Sequence, residues 1–137
     1  MNPLPASPVH EHTFRVYWED TDAGGVVFYA NYLKFFERAR TEWLRALGFG
    51  QQRLKDEEGL MFVVAHTAVD YLRPARLDDE VRVTVVVQEA GRVSMTIAQQ
   101  AWAHDTLLAQ GTIRIGCVDA GTLKPQRIPR AILERIA

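Results

Sequence analysis

The sequence predicts an α+β domain in which an antiparallel sheet of about five strands wraps around one long helix, in the order β-α-β-β-β-β. Three observations carry this reading. A single long stretch, Asn31 to Leu47, repeats apolar residues at helical spacing. Four later stretches repeat them at strand spacing or as β-branched runs. Between a first short strand and the helix stands the turn Asp20-Thr21-Asp22-Ala23-Gly24-Gly25, which sets two carboxylates beside two glycines.

The first strand is read over Thr13 to Trp18, and the twelve residues before it as a loose, proline-bearing tail. In the helix, Tyr32, Phe36, Ala39, Trp43 and Leu47 recur every three or four residues, and Leu33, Phe35 and Leu44 widen the arc. So wide an arc predicts a helix packed on most sides, with Asn31 as N-cap and Gly48 as stop. A mixed connection runs on to Gly59. Met61 to Leu72 is β-branched and apolar. Val81, Val83, Val85 and Val87 alternate with Arg82, Thr84, Val86 and Gln88, and Glu89 to Arg92 reads as a hairpin turn. Val93, Met95 and Ile97 then share one face of a strand. After a turn at Ala103 to Thr106, Leu107 to Val118 forms the last strand, with Gly111 as a bend. A short helix is expected after Pro129. One helix covers one sheet face, so pairing two such units would bury more.

The 137 residues make one domain, residues 13–137, large enough to bury roughly two-thirds of the unfolded surface. No apolar run approaches the ~20 residues needed to span a bilayer. The segment MNPLPASPVHEH has neither a basic nor an apolar signal region, so no integral membrane segment or leader is expected. A net charge of −1 argues against a broad nucleic-acid surface. Cys117 is the only cysteine, which excludes an internal disulfide and suits a reducing cytoplasm.

The residue inventory excludes much chemistry. Ser7 and Ser94 are the only serines, and neither sits in a nucleophile elbow. Cys117 lies in an apolar strand and reads as a buried, inert thiol. His10 and His12 fall in the tail, His104 in a turn. His66 and Asp70 share a strand face and form a weak base-and-orienter pair. A calcium loop fits Asp20, Asp22 and Gly25, but Gly24 and Asn31 stand where ligands are required. No phosphate loop or dinucleotide fingerprint is present.

What survives is chemistry by a carboxylate, Asp20 or Asp22, facing free N–H groups at a helix start, with no metal and no cofactor. Such donors can hold a carbonyl oxygen while the carboxylate attacks it or activates water. A carboxylate is a modest nucleophile and needs an electrophile with a good leaving group. A thioester provides both, because a thiol with a pKa near ~8.5 departs without strong protonation.

The segment VYWEDTDAGGVVFYANYLKFFERARTEWLR closely resembles the signature of the 4-hydroxybenzoyl-CoA thioesterase family of hotdog-fold proteins. Within that family it is most similar to the YbgC-type acyl-CoA thioesterases associated with the Tol–Pal cluster. FVVAHTAVDYLRPARLDDEV and CVDAGTLKPQRIP extend the resemblance over residues 13–130. The resemblance implies a hotdog that pairs into homodimers, often tetramers as dimers of dimers. It implies a catalytic Asp22, acting as nucleophile or general base, and a carbonyl-polarising backbone N–H at Tyr29, with Asp20 and Glu19 shaping the turn. Gly25, Arg92 and Ser94 are the implied substrate contacts, and Arg73 and Arg76 flank the Pro74 bend. Phe28, Tyr32 and Phe36 are candidates for the acyl pocket. The implied activity is hydrolysis of short-chain or aryl acyl-CoA. The alternatives are an acyl carrier protein substrate tied to phospholipid metabolism and a non-catalytic acyl-binding scaffold.

Overall fold

A computed structural model describes residues 10–136. Strand β1 (His10–Arg15) is followed by a single 3-10 turn (Trp18–Asp20) and then by helices α1 (Asn31–Ala46) and α2 (Gln51–Glu58). Strands β2 (Leu60–Tyr71), β3 (Glu80–Ala90), β4 (Ser94–Ala103) and β5 (Thr106–Asp119) come next, and helix α3 (Arg130–Ile136) closes the chain. The strands form one antiparallel sheet in the order β1-β3-β4-β5-β2, so β1 and β2 are its two edges.

The sheet curls over α1. Tyr32, Phe35, Phe36, Ala39, Trp43 and Leu44 face inward from the helix, and Val81, Val83, Val85, Met95, Ile97, Ile113 and Ile115 meet them from the strands. Each buried Val, Leu, Ile, Met or Phe among them contributes about 1.5–3 kcal/mol by leaving water. Burial along α1 comes in adjacent pairs separated by exposed or, at Thr41 and Glu42, half-buried pairs, so one face is buried and the other is open, with Leu33 exposed. This corrects the expectation of a helix packed on most sides.

Two polar side chains join helix to sheet inside this core. The guanidinium of Arg40 donates to Gln99 Oε1 at 2.9 Å, and Gln99 Nε2 donates to the Phe36 carbonyl at 3.0 Å. Burial pushes the Arg40 pKa down, with Glu37 acting weakly against it.

The helix ends as its glycine predicts. Gly48 has φ +96, and the N–H of Phe49 reaches back to the Leu44 carbonyl at 2.8 Å. Its start differs from the expectation. Ala30 is the capping residue, while Asn31 is the first helical residue and spends its side chain elsewhere.

Strand β1 begins three residues earlier than expected, so His10 to His12 belong to the sheet and not to the tail; residues 1–9 lie outside the described residues. It stops at Arg15, whose partner Glu80 is the first residue of β3; beyond it Val16 still bonds to Asp78 and Asp79 in the turn before β3. Helix α2 falls in what the sequence presents as a mixed connection. Leu54 is its one buried residue, so it carries no apolar stripe. It is held instead by side-chain pairs, Gln52 with Asp56 and Arg53 with Glu57, and by the left-handed Gly59 after it.

Candidate active site

The segment between β1 and α1 is built around Asp20. This carboxylate is only 7% exposed. One of its oxygens accepts the Tyr17 N–H at 2.8 Å and the other accepts the Asn31 side-chain amide at 3.1 Å. Its main-chain carbonyl accepts the Phe28 N–H at 3.0 Å. Asp20 therefore pins both ends of the turn to the helix start, the shaping role the resemblance implies for it.

Between these anchors the chain doubles back. Thr21 bridges Val27, the Asp22 N–H donates to the Val26 carbonyl at 2.9 Å, and the Gly25 N–H donates to the Asp22 carbonyl at 3.1 Å. Gly25 takes φ +79, a conformation L side chains rarely adopt. The return strand is held to the body by Val27, whose N–H donates to the Ala75 carbonyl at 2.8 Å. Asp22 sits at the tip with its side chain exposed, and Oδ1 accepts the Gly24 N–H at 2.8 Å. A methyl group on Gly24 would stand 3.2 Å from that oxygen. The carboxylate is thus oriented by its own turn while its second oxygen carries no such bond.

The backbone then enters α1. Phe28 donates to Asp20, Asn31 to the Phe28 carbonyl, Tyr32 to the Tyr29 carbonyl and Leu33 to the Ala30 carbonyl. Among the described residues the N–H groups of Tyr29 and Ala30 have no acceptor. They stand at the positive end of a 16-residue helix.

Beside this start lies a pocket of about 210 Å³ lined by Val27, Tyr29, Tyr32, Tyr71, Leu72, Arg73 and Pro74. The Tyr71 ring stands 5.7 Å from both Tyr29 and Tyr32. The Tyr32 hydroxyl accepts the Ala75 N–H at 3.0 Å. Burial raises the pKa of Tyr32 and of Tyr71, so both phenols stay neutral and polar only at their tips.

The structure draws some of the expected site residues together and separates others. Asp22, Gly25 and Tyr29 share the turn and helix start. Of the three pocket candidates only Tyr32 lines the pocket; Phe28 is half-exposed and Phe36 is sealed in the core. Arg73 is at the pocket rim, while Arg76 braces the neighbouring bend through its N–H to Asp79. Arg92 lies in the β3–β4 turn and Ser94 is the first residue of β4. That turn is tied to β5 through Val93 and Cys117, and to the segment before α3 through Arg92 and Ile128. His66 and Asp70 are both exposed on β2 and share no hydrogen bond, so the base-and-orienter pair does not form. Cys117 is buried with its thiol against the Arg127 carbonyl, and burial raises its pKa, as expected of an inert thiol. Among the described residues no three His, Cys, Asp or Glu side chains gather as metal ligands would.

Tyr71 was not singled out from the sequence. Its cue is an aromatic at the end of a strand, two residues before Arg73-Pro74, where the chain turns back towards the Asp22 loop.

Residues 16–136 match the thioesterase-like superfamily. The chain belongs to the thioesterase-like superfamily. It is 47% identical over 118 residues to an acyl-CoA thioesterase YbgC of Haemophilus influenzae, covering 86% of this chain and 87% of that protein. It is 43% identical over 120 residues to an acyl-CoA thioester hydrolase YbgC of Escherichia coli O6:H1, covering 87% and 89%. A probable thioesterase from Bartonella henselae has the same fold, with a TM-score of 0.86 at 34% identity over 89% of this chain and all of that one. The fold is the hotdog, and this member of the superfamily is a thioester hydrolase. No helix among the described residues is long and apolar enough to cross a membrane.

Proposed function

We propose that this protein hydrolyses short-chain or aryl acyl-CoA thioesters to the free acid and coenzyme A, with Asp22 as the catalytic carboxylate. One observation carries the reading. The exposed Asp22 carboxylate is held on a tight turn, and that turn leads into a helix start whose Tyr29 N–H has no acceptor among the described residues.

The thioester carbonyl oxygen accepts the Tyr29 N–H, and the helix dipole favours the charge that develops on it. One such donor is worth roughly 10²–10³ in rate. Asp22 then acts by one of two routes. As nucleophile it bonds to the carbonyl carbon, the carbon–sulfur bond breaks, and coenzyme A leaves as thiolate; water cleaves the resulting mixed anhydride. As general base it takes a proton from water while the water oxygen bonds to the carbonyl carbon, and the tetrahedral intermediate expels the same thiolate. Both routes release acid and thiol, and neither needs a metal or an organic cofactor.

The carrier's phosphates call for cations. Arg92 and Ser94 remain the proposed contacts, and Lys124, Arg127 and Arg130 precede or open α3 in the segment that Ile128 bonds to Arg92. A homodimer fits the outer edge of β2, which is unpaired among the described residues and where Val64 to Ala68 are exposed in succession and Tyr71 and Leu72 follow. Two such dimers would make the proposed tetramer, and a cytoplasmic setting accords with the single reduced thiol.

The test is thiol release from acetyl- to palmitoyl-CoA and from benzoyl- and 4-hydroxybenzoyl-CoA, for wild type and Asp22→Asn, with solution mass measured alongside. Wild type should turn over the short or aryl members, and the folded variant should lose about 10²–10⁴ in kcat. Equal rates in both would remove Asp22 from the mechanism. No thiol release by wild type from any substrate would remove the acyl-CoA assignment.

A further inference from the structure

We infer that Tyr71 is the specificity-determining wall of the acyl pocket, and that it restricts the enzyme to compact acyl groups. The inference rests on the thioesterase reading above and adds which acyl groups that site accepts.

The pocket begins where the reaction would take place. Tyr29 supplies the unpaired N–H at the helix start, and the same residue's side chain lines the pocket. An acyl group whose carbonyl oxygen sits on that N–H has the pocket as its adjoining apolar space. The volume of about 210 Å³ lies below the ~300–1,000 Å³ of pockets that take drug-sized ligands.

The floor of the pocket does not yield. Tyr32 is 3% exposed, its hydroxyl is anchored by the Ala75 N–H, and its ring packs edge-on against Phe35 at 6.1 Å. A longer chain therefore cannot extend past Tyr32 into the core without breaking that bond and repacking the helix. The lining ring that meets both Tyr29 and Tyr32 is that of Tyr71, the last residue of β2. Tyr71 is not part of the hydrophobic core, so its loss enlarges the pocket and leaves the core intact. Leu72 and Arg73, which follow it, are fixed by their N–H groups to the Leu108 carbonyl at 2.8 and 3.1 Å. The wall is therefore one replaceable ring on a held backbone.

The experiment pairs turnover with binding. Rates would be measured on butanoyl-, octanoyl-, lauroyl- and benzoyl-CoA for wild type, Tyr71→Ala and Tyr71→Phe. Calorimetry would follow binding of the matching S-alkyl-CoA thioethers, which cannot be hydrolysed. Wild type should prefer butanoyl over octanoyl by on the order of 10–200-fold, the discrimination a size-limited apolar pocket gives. Tyr71→Ala should shift that ratio towards octanoyl by about tenfold or more, in kcat/KM and in thioether affinity alike. Tyr71→Phe, which keeps the ring and loses the hydroxyl, should keep the wild-type ratio. An unchanged chain-length profile in folded Tyr71→Ala overturns the inference, as does a wild type that takes lauroyl as readily as butanoyl. The thioether arm separates the two claims. Chain-selective binding that Tyr71→Ala relaxes, without hydrolysis of any substrate, would leave the pocket assignment standing and overturn the proposed reaction.

Discussion

The Asn31 side-chain amide donates to the Asp20 carboxylate across 3.1 Å, a buried bond between the first residue of α1 and the residue two before Asp22. Asp20 also holds Tyr17 on the far side of the turn, so a single carboxylate fixes where the Asp22 loop leaves the sheet and where it enters the helix. The two aspartates have opposite tasks. Asp20 is spent entirely on protein N–H groups, and Asp22 projects from the turn that Asp20 anchors.

Removing the anchor should therefore cost stability and catalysis together. Asn31→Ala leaves one Asp20 oxygen without its donor at a buried site, and the expected loss is about 1–3 kcal/mol in urea unfolding. The turn then moves relative to the Tyr29 N–H. A displacement of that kind lowers kcat by up to about a hundredfold while KM changes little. In an Asp22→Asn background the same substitution should retain its stability cost and have no further effect on thiol release. An Asn31→Ala enzyme with wild-type kcat would mean the anchor serves the fold alone.

The sheet, the long helix and the turn between them are legible in the sequence because each has a period or a breaker of its own. Val81 to Val87 alternate, Phe35 and Phe36 recur with Ala39 and Trp43, and Gly48 stops the helix with a positive φ. Helix α2 is not legible by period, since one buried leucine in eight residues makes no stripe. Its signal is propensity, with QQRLKDEE set between two glycines. The placement of β1 depends on where β3 begins, a tertiary fact that no local pattern states. The pocket is illegible for the same reason. Tyr29, Tyr32 and Tyr71 lie up to some forty residues apart in sequence and meet only because the chain beyond β2 folds back onto the Asp22 loop through Val26 and Arg76.

Gly111 reads in the sequence as a bend, and in the sheet it is a point of close approach. It lies in β5 between Val69 of β2 and Gln99 of β4. A Cβ there would stand 2.4 Å from the Ala68 carbonyl oxygen, which is backbone and cannot swing away. Gly111→Ala should destabilise the fold by about 1–3 kcal/mol, the usual cost of overpacking. Gly116→Ala is the control on the same strand. Its nearest neighbour would be the Val93 carbonyl at 3.9 Å, an ordinary contact, so its urea midpoint should stay at or slightly above wild type. Equal midpoints for the two variants would show that β2 can shift away from β5.

His10 gives the fold a dependence on pH. Its Nε2 is buried with no hydrogen-bond partner among the described residues, and its pKa lies below the ordinary 6.5. Burial is the main cause and His12 adds to it, while Glu42 and Glu11 pull the other way. The unfolded chain therefore takes up this proton before the folded one does. Stability from His10 is fully present well above 6.5 and is lost as pH falls from 6.5 through the lower folded value. His10→Leu removes the titrating group and the unpaired nitrogen together. In urea unfolding it should match or exceed wild type at neutral pH, and its stability should decline less steeply on acidification below 6.5. Parallel declines in the two proteins would overturn His10 as the source of the acid sensitivity in this range. Asp119 acts outside it: the Thr122 and Gly121 N–H groups hold its pKa below 3.8, so its contribution is lost only as pH falls below 3.8.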